Sequence, residues 1–261
     1  MIPLPNEHYK IAVEQLKSVK INCLFARSVA EKHVTGNIFV DCFPDPKVFY
    51  IVHPYGMSLL LGYLTQNENL KWHLVDCIKG KKSKEWLQVF PISSELFVDD
   101  IFLNQPVLNA AKYQRLNFKF NRQKFEQLKS TIEYNGFEFI EISENAFNKI
   151  DGMVVPKKFW DNASDFLANG VGFTLLKNKQ PVSCAFSAFI HGNKLELGME
   201  TLPEARDKGF ATIVCSKLID FCLSNNYEPV WACSSNNKGS FTLASKLGFE
   251  VSATLPYYEI N

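Results

Sequence analysis

No uninterrupted stretch of about 20 apolar residues, the length needed to span a bilayer as a helix, occurs in the sequence. The apolar run 57–63 is far too short. Residues 1–16 mix Pro, Glu, His and Lys among their apolar members, so they lack the continuous core of a secretory signal. An excess of one charge is missing as well. With 28 Lys and Arg against 27 Asp and Glu the formal charge is +1, which excludes bulk electrostatic capture of nucleic acid or of an anionic membrane. The local basic run Lys79, Lys81, Lys82 and Lys84 reads as a solvated turn. Paired cysteines are absent: the seven, at 23, 42, 77, 184, 215, 222 and 233, are odd in number and contain no C-x-x-C. Cys215 and Cys222 share a helical face but stand too far apart for a bridge. That usage fits a reducing compartment, where cysteine serves as a small core residue. The five histidines form no H-x-x-x-H pair and no Cys/His set has ligand spacing, so no metal is expected. These absences point to a cytoplasmic protein without nucleic-acid, membrane or metal partners.

What is present is ordinary globular material: 46% hydrophobic and 21% charged residues over 261 positions, enough for one large domain or two small ones. Apolar spacing predicts helical character over 5–33 with a break near Ile21 and Asn22. Short strands follow at 37–42, 48–52 and 58–63, separated by Pro- and Gly-containing turns. A helix is expected over 68–78, a strand over 84–90, a helix over 93–104 and a strand over 115–121. Residues 122–134 read as a helix closed by Asn135-Gly136. From 137 the order becomes strand (137–143), two short helices (145–150 and 164–168) and three meandering strands (171–176, 182–190, 195–201). A helix (209–224), a strand (228–233), a helix (238–247) and a last strand (251–260) complete it. Both halves show helix-then-meander order, although no residue-level repeat is visible. The fold class is mixed α/β. The division falls between 120 and 136, with domains taken as 1–128 and 129–261, and no Gly/Ser linker marks it.

The informative segment runs from Glu196 to Thr212. A strand ends near Thr201, a Pro-containing turn follows, and Arg206-x-x-Gly209-x-Ala211 opens a long amphipathic helix. A first helical turn leaves backbone N–H groups unpaired and carries the positive end of the dipole, so it favours anions. Gly209 permits any φ and lets a phosphate approach the backbone, Ala211 is small, and Arg206 and Lys208 add positive charge.

This segment resembles the signature of the GNAT superfamily of acyl-CoA N-acyltransferases, Gln/Arg-x-x-Gly-x-Gly/Ala. The next block, Asn237-x-x-Ser240 followed by Leu243-Ala-Ser-Lys246-Leu247-Gly248-Phe249, is similar to that family's Asn-x-x-Ser/Ala…Lys-Leu-Gly-Phe. Over the whole length the sequence resembles a two-domain bacterial GNAT group, on Gly170-Val171-Gly172-Phe173 and Trp231-Ala232-Cys233.

The resemblance implies a C-terminal GNAT fold with a central, mostly antiparallel sheet flanked by helices. Behind a mixed α/β N-terminal domain, which would wall the acceptor site or mediate an interaction, it would act as an acetyl-CoA-dependent N-acetyltransferase. In the family, pantetheine lies in a V between two splayed strands, which implies main-chain contacts from Met199 to Thr201. A pyrophosphate cradle would be formed by Lys208, Gly209, Phe210, Ala211 and Thr212 beside Arg206. Asn237 and Ser240 are implied as further cofactor contacts, Asn237 also suiting a helix cap. Direct attack by an amine needs a base. Alternation puts Glu196, Gly198 and Glu200 on one face, with a bulge able to separate the carboxylates. Glu196 is the first choice and Glu200 the second. The sequence departs from the family at Ala244, where many members carry a Tyr acting as acid. Ser240, Cys233 and Tyr258 are the substitutes considered. The acceptor expected is a primary amine on a small molecule, with homodimerisation an open option. A non-catalytic acyl-CoA sensor with a protein partner and a protein N-acetyltransferase are the alternatives.

Overall fold

The computed structural model describes residues 1–64, 68–79, 84–103 and 109–261. Lys81 and Lys82 of the basic run, and position 104 of the expected helix, lie outside the described residues. The chain divides into two compact units, Met1–Leu116 with Ala253–Asn261, and Asn117–Ser252.

In the first unit, β1 (Ile2–Pro3) precedes α1 (Lys10–Leu16) and α2 (Leu24–Ala30), which are interrupted where the sequence pattern breaks. An antiparallel meander follows: β2 (Asn37–Val40), β3 (Phe49–Val52) and β4 (Met57–Leu61). Helix α3 (Glu68–Lys79) then crosses to β5 (Glu85–Phe90), which lies parallel to β4 from Met57↔Trp86 through Leu61↔Phe90. Every residue of β4 is buried, because a strand covered on both faces reads as a continuous apolar run. Helix α4 (Glu95–Leu103) and β6 (Ala110–Phe120) continue the chain. The sheet gains a strand from far along the sequence, since Tyr257–Ile260 pairs antiparallel with β5. Tyr258 and Ile260 share a core with Tyr50, Leu74, Leu87 and Phe102. The Tyr258 hydroxyl donates to Asp99 at 2.6 Å, and Lys112 bridges Asp99 (2.6 Å) and Glu95 (2.7 Å).

The second unit begins with the end of β6 and α5 (Arg122–Lys129), which Asn121 caps by accepting from Lys124 N. Then come β7 (Phe137–Glu141), α6 (Glu144–Lys149) and α7 (Ala163–Asn169). Ser143 and Asn162 cap the two helices by accepting from Ala146 N and Asp165 N, the role that favours such side chains before a helix. The meander β8 (Gly172–Lys177), β9 (Gln180–His191) and β10 (Lys194–Thr201) leads to α8 (Phe210–Ser224), β11 (Glu228–Val230), β12 (Ala232–Ser234), α9 (Lys238–Lys246) and β13 (Phe249–Ile260). The five-stranded sheet runs β11-β10-β9-β8-β7. The element order of the first unit, from β1 to β6, recurs here from β7 to β13.

One feature of this unit differs from the sequence expectation, and a second places the irregularity expected near Glu196. The strand expected over 228–233 is broken at Trp231, so β11 and β12 belong to different sheets. The cause is the tryptophan. Its carbonyl accepts from Phe118 N on β6 at 3.1 Å, and its buried indole donates to Ser240 Oγ at 3.1 Å. The register of β9 against β10 also shifts between Glu196 and Leu197, with Ala188 of β9 as the extra residue.

The centre of the sheet is set by Phe186, fully buried, which pairs with Gly198 on one side and Gly172 on the other. A Cβ at Gly198 would lie 2.5 Å from the Phe186 ring, and one at Gly172 2.9 Å from Phe186 Cβ. Phe186 therefore needs both glycines to lie flat across its neighbours. Replacing Gly198 by Ala should cost about 1–3 kcal/mol of stability, the usual cost of overpacking a filled core. Chemical denaturation of wild type and variant measures the difference.

Candidate acyl-CoA site

The site is built where β10 loses a neighbour. Parallel pairing with β11 covers only Lys194↔Glu228, Leu195↔Pro229 and Glu196↔Val230. Beyond Glu196 the chain after Val230 has left through Trp231, while β10 runs on to Thr201. Leu202 N donates to Val182 O of the β9 segment at 3.1 Å. Two-residue alternation then turns the peptide groups of Met199 and Thr201 toward the vacated edge. The Thr201 carbonyl accepts Arg206 Nε there at 3.2 Å. The result is a V whose apex is Glu196–Val230 and whose open arm is Leu197–Thr201.

The cradle lies at the start of α8. Asp207 and Gly209 both have positive φ, 60° and 80°, and Gly209 occupies the N-cap with no side chain closing the helix end. The first α-type bond runs from Ile213 N to Gly209 O at 3.3 Å, so the amides of Phe210, Ala211 and Thr212 precede it and have no partner within the helix. A Cβ built on Gly209 meets nothing within 4 Å. The backbone is therefore open to a ligand at that point, and the free amides and dipole suit an anion. Lys208 reaches back to Glu204 O at 2.7 Å. Phe210 is buried edge-on against Phe137, with the Lys177 ammonium 5.2 Å from its ring centre. Lys177 thus adds a positive charge over the first residue of α8, which sequence spacing had not flagged.

The other expected residues are placed as follows. Asn237 caps α9 by accepting from Ser240 N at 3.0 Å, and Ser240 Oγ accepts the Trp231 indole. Both side chains therefore fix the helix that follows the V. Glu196, only 5% exposed, stands at the apex next to the register shift. Glu200 stands further along the open arm with its carboxylate in contact with protein: Oε2 accepts from Met153 N (2.8 Å) and Val154 N (3.1 Å), and Oε1 lies 3.4 Å from Arg206. The structure brings Glu200, Arg206 and the 152–154 backbone together. Gly152 and Met153 were not singled out in the sequence, and nothing in Asp151-Gly152 beyond turn chemistry points to a partner on β10. Ala244 is fully buried in α9. Tyr258 lies in the first unit with its hydroxyl given to Asp99, and burial foremost, then Asp99, pushes its pKa up.

Residues 16–258 match the family described as GNAT acetyltransferase. The chain belongs to that family. A Bacillus subtilis (strain 168) protein described as the uncharacterized N-acetyltransferase YdfB is 30% identical over 239 residues, 87% of this chain and 86% of its own length. Among solved structures, a GCN5-related N-acetyltransferase-like protein from Streptococcus suis 89/1591 superposes with a TM-score of 0.75 at 19% identity, covering 98% of this chain and 99% of its own. A tandem GNAT protein from the clavulanic acid biosynthesis pathway gives a TM-score of 0.64 at 8% identity, covering 99% and 97%. The last two are likenesses of fold. As a GNAT acetyltransferase the chain is an acyltransferase with a mixed α/β fold. Among the described residues, no helix is long and apolar enough to cross a membrane, and no group of three metal-binding side chains is assembled.

Cys184, Cys215 and Cys222 offer no ready nucleophile in the second unit. Cys184 and Cys222 are buried and their thiols are pushed up to about 12, chiefly by desolvation. Iodoacetamide on the native protein at pH 8 should therefore label exposed Cys42 while leaving Cys184, Cys215 and Cys222 unmodified, which peptide mass mapping reads out. The cradle is tested by thermal shift. Acetyl-CoA at 100 times its Kd should stabilise the wild type by about 2.7 kcal/mol. Gly209→Glu, which puts a carboxylate into the open space, should fold and lose the shift.

Proposed function

We propose that this GNAT protein transfers the acetyl group of acetyl-CoA to a primary amine of a small molecule by direct attack, with no covalent enzyme intermediate. The observation that supports it most is the coincidence of two features: a β10 edge with no neighbouring strand at Met199 and Thr201, and a helix end at Gly209–Thr212 without a side-chain cap. The residues present fit the cofactor. Met199 and Thr201 would hold the pantetheine amides through their peptide groups. Lys208 to Thr212 would hold the diphosphate through backbone N–H, with Arg206 beside them. Bound acetyl-CoA supplies the thioester.

The chain's own part is to align, to stabilise charge and to move a proton. A backbone N–H on the open arm of β10 would donate to the developing oxyanion. Glu196 is assigned as the group that removes the ammonium proton, because it sits buried at the apex where the strands part. With Ala244 at the position where many members of the family carry a tyrosine acid, the CoA thiolate takes its proton from solvent, which a stable leaving group permits.

The test is CoA release, measured by thiol titration, against a panel of spermidine, kanamycin, L-lysine and a peptide with a free N-terminus. Turnover on a small amine and none on the peptide supports the proposal. Turnover on the peptide alone favours protein acetylation. Acetyl-CoA binding with no turnover on any amine favours a sensor. Glu196→Gln should lower kcat by about 10²–10⁴-fold, the usual contribution of a positioned base, with acetyl-CoA affinity retained. An unchanged kcat removes Glu196 from the chemistry.

A further inference from the structure

We propose that Glu200 is a positioning residue that couples the acetyl-CoA cradle to the loop 151–154, so that cofactor binding orders that loop; the inference rests on the acyl-CoA reading of the site. The loop joins α6 to the segment before Pro156, and it is fastened to β10 through one carboxylate. Oε2 takes the amides of Met153 and Val154 at 2.8 and 3.1 Å. Oε1 faces Arg206 Nη2 at 3.4 Å, and the same guanidinium donates Nε to the Thr201 carbonyl at 3.2 Å. The Glu200 side chain is 14% exposed and that of Arg206 58%. The guanidinium therefore has one edge on the protein and much of its surface in solvent beside the cradle.

The two ends of this connection lie on opposite faces of the sheet. Phe173 packs against Phe221 of α8 and pairs across β9 with Ala185, which pairs in turn with Met199. Glu200, one residue on, therefore projects to the face away from α8. There its carboxylate fills the space where any side chain at 152 would be: a Cβ on Gly152 would lie 2.6 Å from Glu200 Cγ and Oε2. The loop is thus fitted to this carboxylate at atomic closeness. It also leaves Met153 64% exposed next to the open arm of β10.

A carboxylate that accepts two backbone amides and faces an arginine has both oxygens engaged, so its work is to hold groups in place. An anion held at the cradle would engage Arg206, and the position of Arg206 is transmitted to the loop through Glu200. Linkage makes this reciprocal: ordering the loop must strengthen acetyl-CoA binding by the same factor that acetyl-CoA strengthens the order of the loop.

Hydrogen–deuterium exchange on the full chain, with and without acetyl-CoA, reads the coupling directly. In the wild type the peptide spanning 151–155 should exchange more slowly once acetyl-CoA is added. In Glu200→Ala it should exchange about 10-fold faster than wild type without cofactor, from the loss of charge-assisted hydrogen bonds, and should gain no protection from acetyl-CoA. Gly152→Ala, which disturbs the same contact with Glu200 still present, should behave alike and covers the case in which Glu200→Ala does not fold. Exchange that is unchanged in the variants overturns the proposal. Glu200→Gln is then followed against pH with whichever panel amine turns over. A pH profile of wild-type shape with a raised acceptor KM supports positioning, whereas loss of the limb on which rate rises with pH makes Glu200 the proton acceptor and overturns it. The exchange measurements need no turnover, so they stand even if no amine in the panel is acetylated.

Discussion

The open arm of β10 depends on Trp231 not continuing the strand it follows. A β-strand next to an open neighbour is normally paired along its length, since each unpaired peptide group in an apolar setting carries a desolvation cost. Here β11 stops after three pairs because Trp231 is pulled the other way, its carbonyl to β6 and its indole to Ser240. The Ser240 that receives the indole lies on the first turn of α9, which Asn237 caps. The separation of the two strands is therefore held by a side chain, a main-chain bond and a helix cap together. Met199 and Thr201 are left without a neighbouring strand, the Thr201 carbonyl taking Arg206 Nε instead.

The other side of the site is held by packing. Phe186 spans the middle of the sheet between Gly172 and Gly198, and Phe159 meets its ring edge-on at 5.5 Å. With its centre filled this way, β10 has little freedom to shift, so the apex at Glu196 and the open arm keep a fixed relation. The first unit makes the contrasting choice with the same element order. Its parallel pair, β4 with β5, stays closed over five residue pairs. Buried Glu85, paired with Ile260 of the next strand, accepts the Tyr50 hydroxyl at 2.5 Å and that of Ser58. One unit uses the crossover to open two strands, the other to keep them closed.

Much of this was legible in the sequence where the signal is local. The meander of β8, β9 and β10 showed as alternation ended by turn residues. Helix α8 showed as an amphipathic run opened by Gly209, whose positive φ only the backbone freedom of glycine allows cheaply. The break between α1 and α2 showed as a lapse in apolar spacing. What was not legible is non-local. Val230, Trp231 and Ala232 are all acceptable strand residues, so nothing nearby announces that the chain changes sheets there. The role of Glu200 is set by amides from a loop that precedes β8. The register shift opposite Glu196 comes from an extra residue in β9, a count that no property of β10 reveals.

The shared use of β13 has a consequence for how the molecule is made. Its early residues lie in the second unit, while Tyr257–Ile260 completes the sheet of the first and places Tyr258 in that core. During vectorial synthesis the first unit emerges early yet cannot close until residue 260 has cleared the ribosome. Until then β5 presents an unpaired edge beside an incomplete core, the kind of surface that chaperones recognise. The unit that starts first must finish last.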